Sequence, residues 1–310
     1  MTPAVVIIGG PTAVGKTAVA LQLARRLPFE IICADSLTVY QGFDIGSAKP
    51  DQAERAVAPH HLLDIRTADQ PFSASDFLAA AQEAIAGITA RGALPLVVGG
   101  TGLYLHTLLH GLSQAPGEHP VIRQTLYQRL ATEGAAHLHR QLHELDPVLA
   151  PRIEPQHTSR LIRALEVVLA TGKPLSTYHA EQRATPPPFT SRLYCLTRPR
   201  EELYQRVDAR VDQMLAAGLL AEVRQLLERG VAPSTKPMQS IGYAECCQHL
   251  REGVPWDQTV QAIKQHTRNL AKRQLTWFRR EPACHWLTLP TDAENLYRDV
   301  QDFLQTNETP

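Results

Sequence analysis

Apolar residues fall into two rhythms along this chain. Short unbroken runs come first: Ala4-Val5-Val6-Ile7-Ile8, Ile31-Ile32-Cys33-Ala34 and Leu94-Pro95-Leu96-Val97-Val98. Runs of this length, bounded by Gly, Pro or Asp, read as strands buried on both faces, the signature of a parallel sheet. Between them the period changes to that of a helix. Residues 18–27 form one such segment. Residues 73–90 form another, with Phe77, Leu78, Ala81, Ile85 and Ile88 in one stripe and Ser73 or Ser75 as the cap. From 121 to about 184 the chain is helical and charged, and Thr185-Pro186-Pro187-Pro188 closes it. Arg192-Leu193-Tyr194-Cys195-Leu196 then returns to the sheet. Residues 201–228 read as one long amphipathic helix, with Leu203, Val207, Val211, Met214 and Leu215 on one side, ended by Gly230. The rest of the chain is mostly helical, and residues 306–310 are expected to fray. Residues 38–71 and 113–120 carry no regular period; polar, Gly- and Pro-rich loops at a sheet edge point to function. The pattern predicts an α/β core from residues 1–112 and 189–310, with a helical insertion at 113–188.

Composition narrows this little. The 310 residues carry 31 Lys and Arg against 31 Asp and Glu, so no global basicity advertises nucleic acid. Five scattered cysteines contain no C-x-x-C pair; they suit a reducing compartment and argue against a disulfide framework or a Cys-rich zinc site. The N-terminus lacks a basic segment followed by a long apolar stretch, and no apolar run spans a bilayer. A soluble, cytoplasmic chain without a membrane partner is the expectation.

The first strand runs into Gly9-Gly10-Pro11-Thr12-Ala13-Val14-Gly15-Lys16-Thr17 and then a helix. Gly10, Gly15, Lys16 and Thr17 satisfy the P-loop pattern G-x-x-x-x-G-K-[ST]. Glycines let backbone N–H groups turn around phosphate oxygens, the helix N-terminus adds partial positive charge, Lys16 adds a full one, and Thr17 can ligate Mg²⁺. These features define the fold class: a P-loop NTPase-like parallel sheet flanked by helices. The competing view is a Gly-rich strand-to-helix turn that binds nothing.

Other residues qualify that reading. Asp35 ends the second apolar run, where ligands of open α/β sheets bind, so it should lie near the P-loop; a helix cap or turn role is the plainer alternative. The strand at 94–98 ends in Gly99-Gly100-Thr101-Gly102. A hydrolytic P-loop protein commonly has a magnesium-holding Asp there. Glycines permit close approach by a ligand and Thr101 offers a hydrogen bond; a tight turn is the plainer view. His60-His61 raise metal binding only weakly, because adjacent histidines rarely share one ion without further ligands at helical spacing, and His139 and His143 likewise, because no second acid or Cys backs them. Between Gln258 and Arg280 there is no acidic residue; Lys264, Arg268 and Lys272 recur every four residues, with Arg273, Arg279, Arg280, Trp277 and Phe278 nearby. Such a face suits RNA, or is a solvated helix with core aromatics.

Taken together the motifs resemble one family, the tRNA dimethylallyltransferases (tRNA isopentenyltransferases). The likeness is carried by the P-loop, by Asp35-Ser36 with Val39-Tyr40, and by Asp44-Ile45-Gly46-Ser47-Ala48-Lys49-Pro50. His60-His61-Leu62-Leu63-Asp64 and Val98-Gly99-Gly100-Thr101-Gly102-Leu103-Tyr104 continue it. Ser159-Arg160-Leu161-Ile162-Arg163-Ala164-Leu165-Glu166, Thr171-Gly172-Lys173-Pro174, Ile241-Gly242-Tyr243 and Ala271-Lys272-Arg273-Gln274-Leu275-Thr276-Trp277-Phe278-Arg279 complete it. Thr38 departs from it, standing where members commonly have Gln; Thr is shorter and cannot pair bidentately with an adenine edge. Ser47 keeps the hydroxyl of a usual Thr.

The resemblance implies transfer of a dimethylallyl group from dimethylallyl diphosphate to the exocyclic amine of the adenosine 3′ of the anticodon (position 37) in tRNA. It implies Asp35 as general base, with Thr101 and Lys16 also catalytic. The diphosphate would lie on Gly10, Pro11, Thr12, Ala13, Val14, Gly15, Lys16 and Thr17, with Mg²⁺ on Thr17 and either Arg206 or Arg210 assisting. The tRNA anticodon stem-loop would meet Asp35, Ser36, Leu37, Thr38, Ser159, Arg160, Leu161, Ile162, Arg163, Lys264, Arg268, Lys272 and Arg273, and the enzyme would be a monomer. Three other readings share parts of the pattern. An isopentenyltransferase of free adenosine nucleotides leaves the basic face without purpose. A P-loop small-molecule kinase conflicts with the Gly-Gly-Thr-Gly strand end. A nucleotide-gated RNA-binding module makes Asp35 and Thr101 incidental.

Overall fold

The computed structural model describes residues 2–182 and 187–308. Two compact units emerge: Met1–Leu109 with Pro188–Pro310, and His110–Pro187.

The first unit is built on one sheet of six parallel strands in the order β3-β2-β4-β1-β5-β6. Strand β1 (Ala4–Gly9) enters helix α1 (Lys16–Ala24), and β2 (Phe29–Ala34) comes next. Helix α1 begins directly at Lys16 and ends earlier than the apolar period suggests. The stretch expected to be irregular contains a short helix α2 (Gln52–Val57), closed by an Asp51–Glu54 capping box, and a two-residue edge strand β3 (His60–His61). Helix α3 (Ala74–Ala90) starts at Ser73, whose hydroxyl accepts the Asp76 N–H while Asp76 accepts that of Ser73. It buries Phe77, Ala81, Ile85 and Ile88 against the sheet. Strand β4 (Leu94–Gly99) leads to α4 (Gly102–His110).

The second unit holds α5 (Pro120–Glu133), α6 (Ala135–Leu145), α7 (Thr158–Thr171) and α8 (Leu175–Gln182) around its own core, including Leu126, Leu138, Leu142, Leu161, Ile162 and Leu165. Thr185 and Pro186 of the expected closing segment lie outside the described residues.

The chain rejoins the sheet as β5 (Thr190–Thr197). The long helix expected at 201–228 is two, α9 (Arg200–Ala216) and α10 (Leu219–Glu228). Gly218, at φ 103°, breaks it in a conformation that side-chain-bearing residues rarely adopt. Helices α11 (Tyr243–Glu252) and α12 (Trp256–Phe278) come after it. Strand β6 (Cys284–Thr288) and helix α13 (Ala293–Glu308) complete the unit. The edge strand β6 escapes the sequence reading because its positions are exposed or half-buried and form no apolar run. Residues 306–308, expected to fray, continue α13; Thr309 and Pro310 lie outside the described residues.

Against the expectation of a chain suited to a reducing compartment, Cys195 of β5 and Cys284 of β6 form a disulfide, while Cys33, Cys246 and Cys247 are free. Strand pairing brings the two together from positions 89 residues apart, a proximity that scattered cysteines in a sequence do not reveal. Among the described residues no helix is long and apolar enough to cross a membrane.

Candidate active site

Register sets the site. Gly9 pairs with Gly99, and Gly99 with Ala34, so β1, β4 and β2 end level with one another. The segments leaving these strands therefore emerge side by side: the P-loop after β1, Gly100 and Thr101 after β4, Asp35 after β2. Thr101 Oγ1 accepts the Ser36 N–H at 3.2 Å, tying the last two segments together.

The loop itself has the backbone its pattern predicts. Gly10 and Gly15 lie at φ 141° and 113°, and Ala13 at 63°. Gly15 caps α1 without a side chain, which leaves the first helical N–H groups open to an anion. Lys16 folds over the loop, its Nζ donating to the carbonyls of Gly10 at 3.0 Å and Pro11 at 2.8 Å. Burial holds the Lys16 ammonium down to about 7; Arg210 lowers it further and Asp35 opposes both. Burial likewise holds the Arg210 guanidinium below its usual value, again opposed by Asp35. The Asp35 carboxylate thus favours the charged form of both Lys16 and Arg210. Arg206 differs: its Nε donates to Ala13 O at 2.9 Å, bracing the loop from α9, as Arg198 does at Val14 O.

One oxygen of Asp35 accepts the Leu37 N–H at 2.8 Å, so the turn role and a role in the site coexist. Ser36 and Leu37 are half-buried. Thr38 is 5% exposed, and its hydroxyl has no hydrogen-bond partner among the described residues.

The glycines at and beyond the end of β4 make room for the chain itself. A Cβ on Gly99 would lie 2.0 Å from Ala34 O, one on Gly100 2.5 Å from Gln274 Nε2, and one on Gly102 2.3 Å from the Trp277 ring. Gln274 is a site residue that sequence reasoning missed. Its Oε1 accepts the Thr12 N–H at 2.8 Å and its Nε2 donates to Gly100 O at 2.9 Å, joining the P-loop to the end of β4. The available signal was a neutral amide inside a cationic helix, on the face shared by the buried Ala271 and Phe278.

The basic face of α12 is only partly available. Lys264 pairs with Asp212 at 2.7 Å, and Arg268 with Asp208 at 2.6 Å. Lys272, Arg273, Arg279 and Arg280 are exposed and form no ion pair among the described residues. The aromatics pack inward: Phe278 is fully buried against Gly9, and Trp277 covers Gly102, so neither is an exposed stacking platform.

Two other motifs are fastenings. Lys49, with its side chain 1% exposed, binds Asp44, Asp64 and Tyr40 O. Glu222 accepts the N–H groups of Asp44, Ile45 and Gly46 and the hydroxyl of Tyr243, whose ring fills the space a Gly46 side chain would need. The Gly46 and Tyr243 motifs, far apart in sequence, are one joint. His61 rests on Glu30, and His60 on Ala58 O.

Within the second unit, Leu161 and Ile162 are buried in the core, which corrects the expectation that they meet RNA. Arg163 is spent on Glu166, Pro116 O and Gly117 O, while Ser159 and Arg160 are exposed. The Nε2 of His139 is held by the carbonyls of Ala150 and Ile153, so the spacing to His143 reflects packing.

A level row of strand ends, a loop of anion-binding pattern between β1 and α1, and Lys16 folded over that loop define a P-loop protein of the α/β class. The family model for IPP transferases matches residues 38–281. The tRNA dimethylallyltransferase 1 of Trichlorobacter lovleyi is 52% identical over 98% of this chain and 99% of its own length. That of Geobacter metallireducens is 46% identical, with 96% of each chain covered. Among solved structures, the full-length tRNA isopentenylpyrophosphate transferase of Bacillus halodurans is similar at a TM-score of 0.73 and 35% identity, covering 99% of this chain and 98% of that one. A eukaryotic dimethylallyltransferase acting on tRNA is similar at a TM-score of 0.82 and 29% identity, covering 98% and 80%. This chain belongs to the IPP transferase family.

Proposed function

We propose that this chain transfers a dimethylallyl group from dimethylallyl diphosphate to the exocyclic amine of adenosine 37 in tRNA, releasing diphosphate. One observation carries the reading: beside the P-loop, tied to the Asp35–Ser36 turn through Thr101, β4 ends in Gly99-Gly100-Thr101 where a hydrolytic enzyme has an acid. Such a loop suits a diphosphate that departs whole, not a triphosphate cleaved by water.

In this mechanism the open N–H groups of the loop and Lys16 hold the diphosphate and take up charge as the carbon–oxygen bond breaks. Arg210 rather than Arg206 serves the leaving group, because Arg206 is engaged by Ala13 O. Asp35 accepts the proton from the attacking amine, and Thr101, whose oxygen already accepts Ser36 N–H, can donate its hydroxyl proton toward the reacting groups. Mg²⁺ bound with the diphosphate would neutralise part of its charge. Thr17 fits that ion: its hydroxyl has no hydrogen bond among the described residues, and Mg²⁺ riding on phosphates needs few protein oxygens. The adenine must leave its stack to reach Asp35.

Ser159 and Arg160, together with Lys272 and Arg273 on α12, supply exposed groups for the anticodon stem-loop, and the unit at 110–187 would contact the RNA. The chain would act as a cytoplasmic monomer, where tRNA is met. The test is to incubate the protein with labelled dimethylallyl diphosphate, Mg²⁺ and either tRNA or AMP. Label entering tRNA supports the reading. Label on AMP alone, or ATP-dependent phosphorylation of a small acceptor, contradicts it.

A further inference from the structure

We propose that Gln274 is an internal competitor for the diphosphate, its side-chain oxygen contending with a phosphate oxygen for the Thr12 N–H. The inference rests on reading the P-loop as a diphosphate site. A carbonyl-type oxygen 2.8 Å from a P-loop amide makes the contact that a phosphate oxygen would make. That amide has one proton and serves one strong acceptor at a time. Arrival of the diphosphate at Thr12 N–H therefore displaces Gln274 Oε1, while Gln274 Nε2 can stay on Gly100 O, 2.9 Å away. Lys16 behaves in the same way. Its Nζ is satisfied by the Gly10 and Pro11 carbonyls of the loop itself. The Thr12 N–H and the Lys16 ammonium thus both rest on internal partners with which a phosphate oxygen must compete.

The side chain is held for this task. Ala271 and Phe278, one turn to either side on α12, are fully buried and fix the helix face that points at the loop. Gly100 has no Cβ where Gln274 lies. A neutral amide can release a departing anion without leaving a buried N–H unpaired, so the exchange keeps the loop's shape and limits its grip on the diphosphate product. A Lys or Arg in this place would grip the anion instead.

The alternative is that Gln274 only braces the loop, and the two roles give opposite signs. The full chain is titrated with inorganic pyrophosphate and Mg²⁺ by calorimetry, for wild type, Gln274→Ala, Gln274→Leu and Gln274→Glu. A removed competitor makes the Ala and Leu variants bind pyrophosphate about 3- to 10-fold more tightly, the equivalent of one net hydrogen bond. Gln274→Glu keeps the acceptor, adds a negative charge beside the anion and weakens binding. In the transfer reaction the KM for dimethylallyl diphosphate falls in the Ala and Leu variants. Unchanged or weaker pyrophosphate binding in both of them overturns the proposal and leaves the diphosphate reading intact. A wild-type chain that binds no pyrophosphate overturns the diphosphate reading and this inference with it.

Discussion

One guanidinium nitrogen of Arg268 reaches both carboxylate oxygens of Asp208, at 2.6 and 2.8 Å, locking α12 to α9. The helix whose outer cations are expected to meet RNA thus uses its inner cations to hold the helix carrying Arg206 and Arg210. Neighbouring positions on one basic stretch do different jobs, and mutations should separate them. Lys272→Ala and Arg273→Ala should weaken tRNA binding and reduce the slope of log affinity against log salt by about 0.7 to 0.9 for each phosphate no longer neutralised. Arg268→Ala should lower the melting temperature, leaving Asp208 without its partner. Filter binding across a salt series, with thermal melts, distinguishes the two classes; an unchanged slope in Lys272→Ala removes that face from the docking surface.

Lys16 works against stability. Its native-state pKa of about 7 lies below the ordinary lysine value of 10.5. Between those values the unfolded chain binds the proton more tightly than the native one, so this group's contribution to stability rises with pH from about 7 to about 10.5. Lys16→Met should therefore raise the melting temperature at pH 7 while abolishing pyrophosphate binding. Melts of wild type and Lys16→Met at pH 7 and pH 9 test this, and the gap between them should shrink at the higher pH.

The same shift predicts proton uptake. A bound anion restores the charge of Lys16, so pyrophosphate binding at pH 8 should take up protons. Calorimetry in two buffers of different ionisation enthalpy measures this, and Lys16→Arg, always charged, should remove the lysine's share of the uptake.

Glu222 accepts three consecutive backbone N–H groups and the Tyr243 hydroxyl. Glu222→Ala strands these donors and should cost about 2 kcal/mol or more in urea unfolding. Tyr243→Phe, which loses one donor, should cost less.

How much of this was legible beforehand differs by feature. The strands at 4–9, 29–34 and 94–99 and the P-loop were readable because buried parallel strands are nearly all apolar and the loop has fixed spacing. Strand β6 was not, because an edge strand needs no apolar run. Gly218 gave no sign of breaking a helix until its left-handed φ was known. Charge alone could not sort Lys264 from Lys272, since pairing with Asp212 depends on how α9 and α12 pack. Gln274 was hidden for the same reason: its partners are backbone groups more than 170 residues away.

The central claim is that Asp35, beside a diphosphate loop, takes the proton from an adenine amine. Single-turnover transfer of label from dimethylallyl diphosphate to an anticodon stem-loop tests it most directly, with adenosine or guanosine at position 37 and with wild type or Asp35→Asn. The account predicts label only on the adenosine stem-loop, and a rate about 10²-fold lower or more in Asp35→Asn with stem-loop affinity retained. Transfer at the wild-type rate by Asp35→Asn, or release of labelled alcohol without transfer, would contradict it.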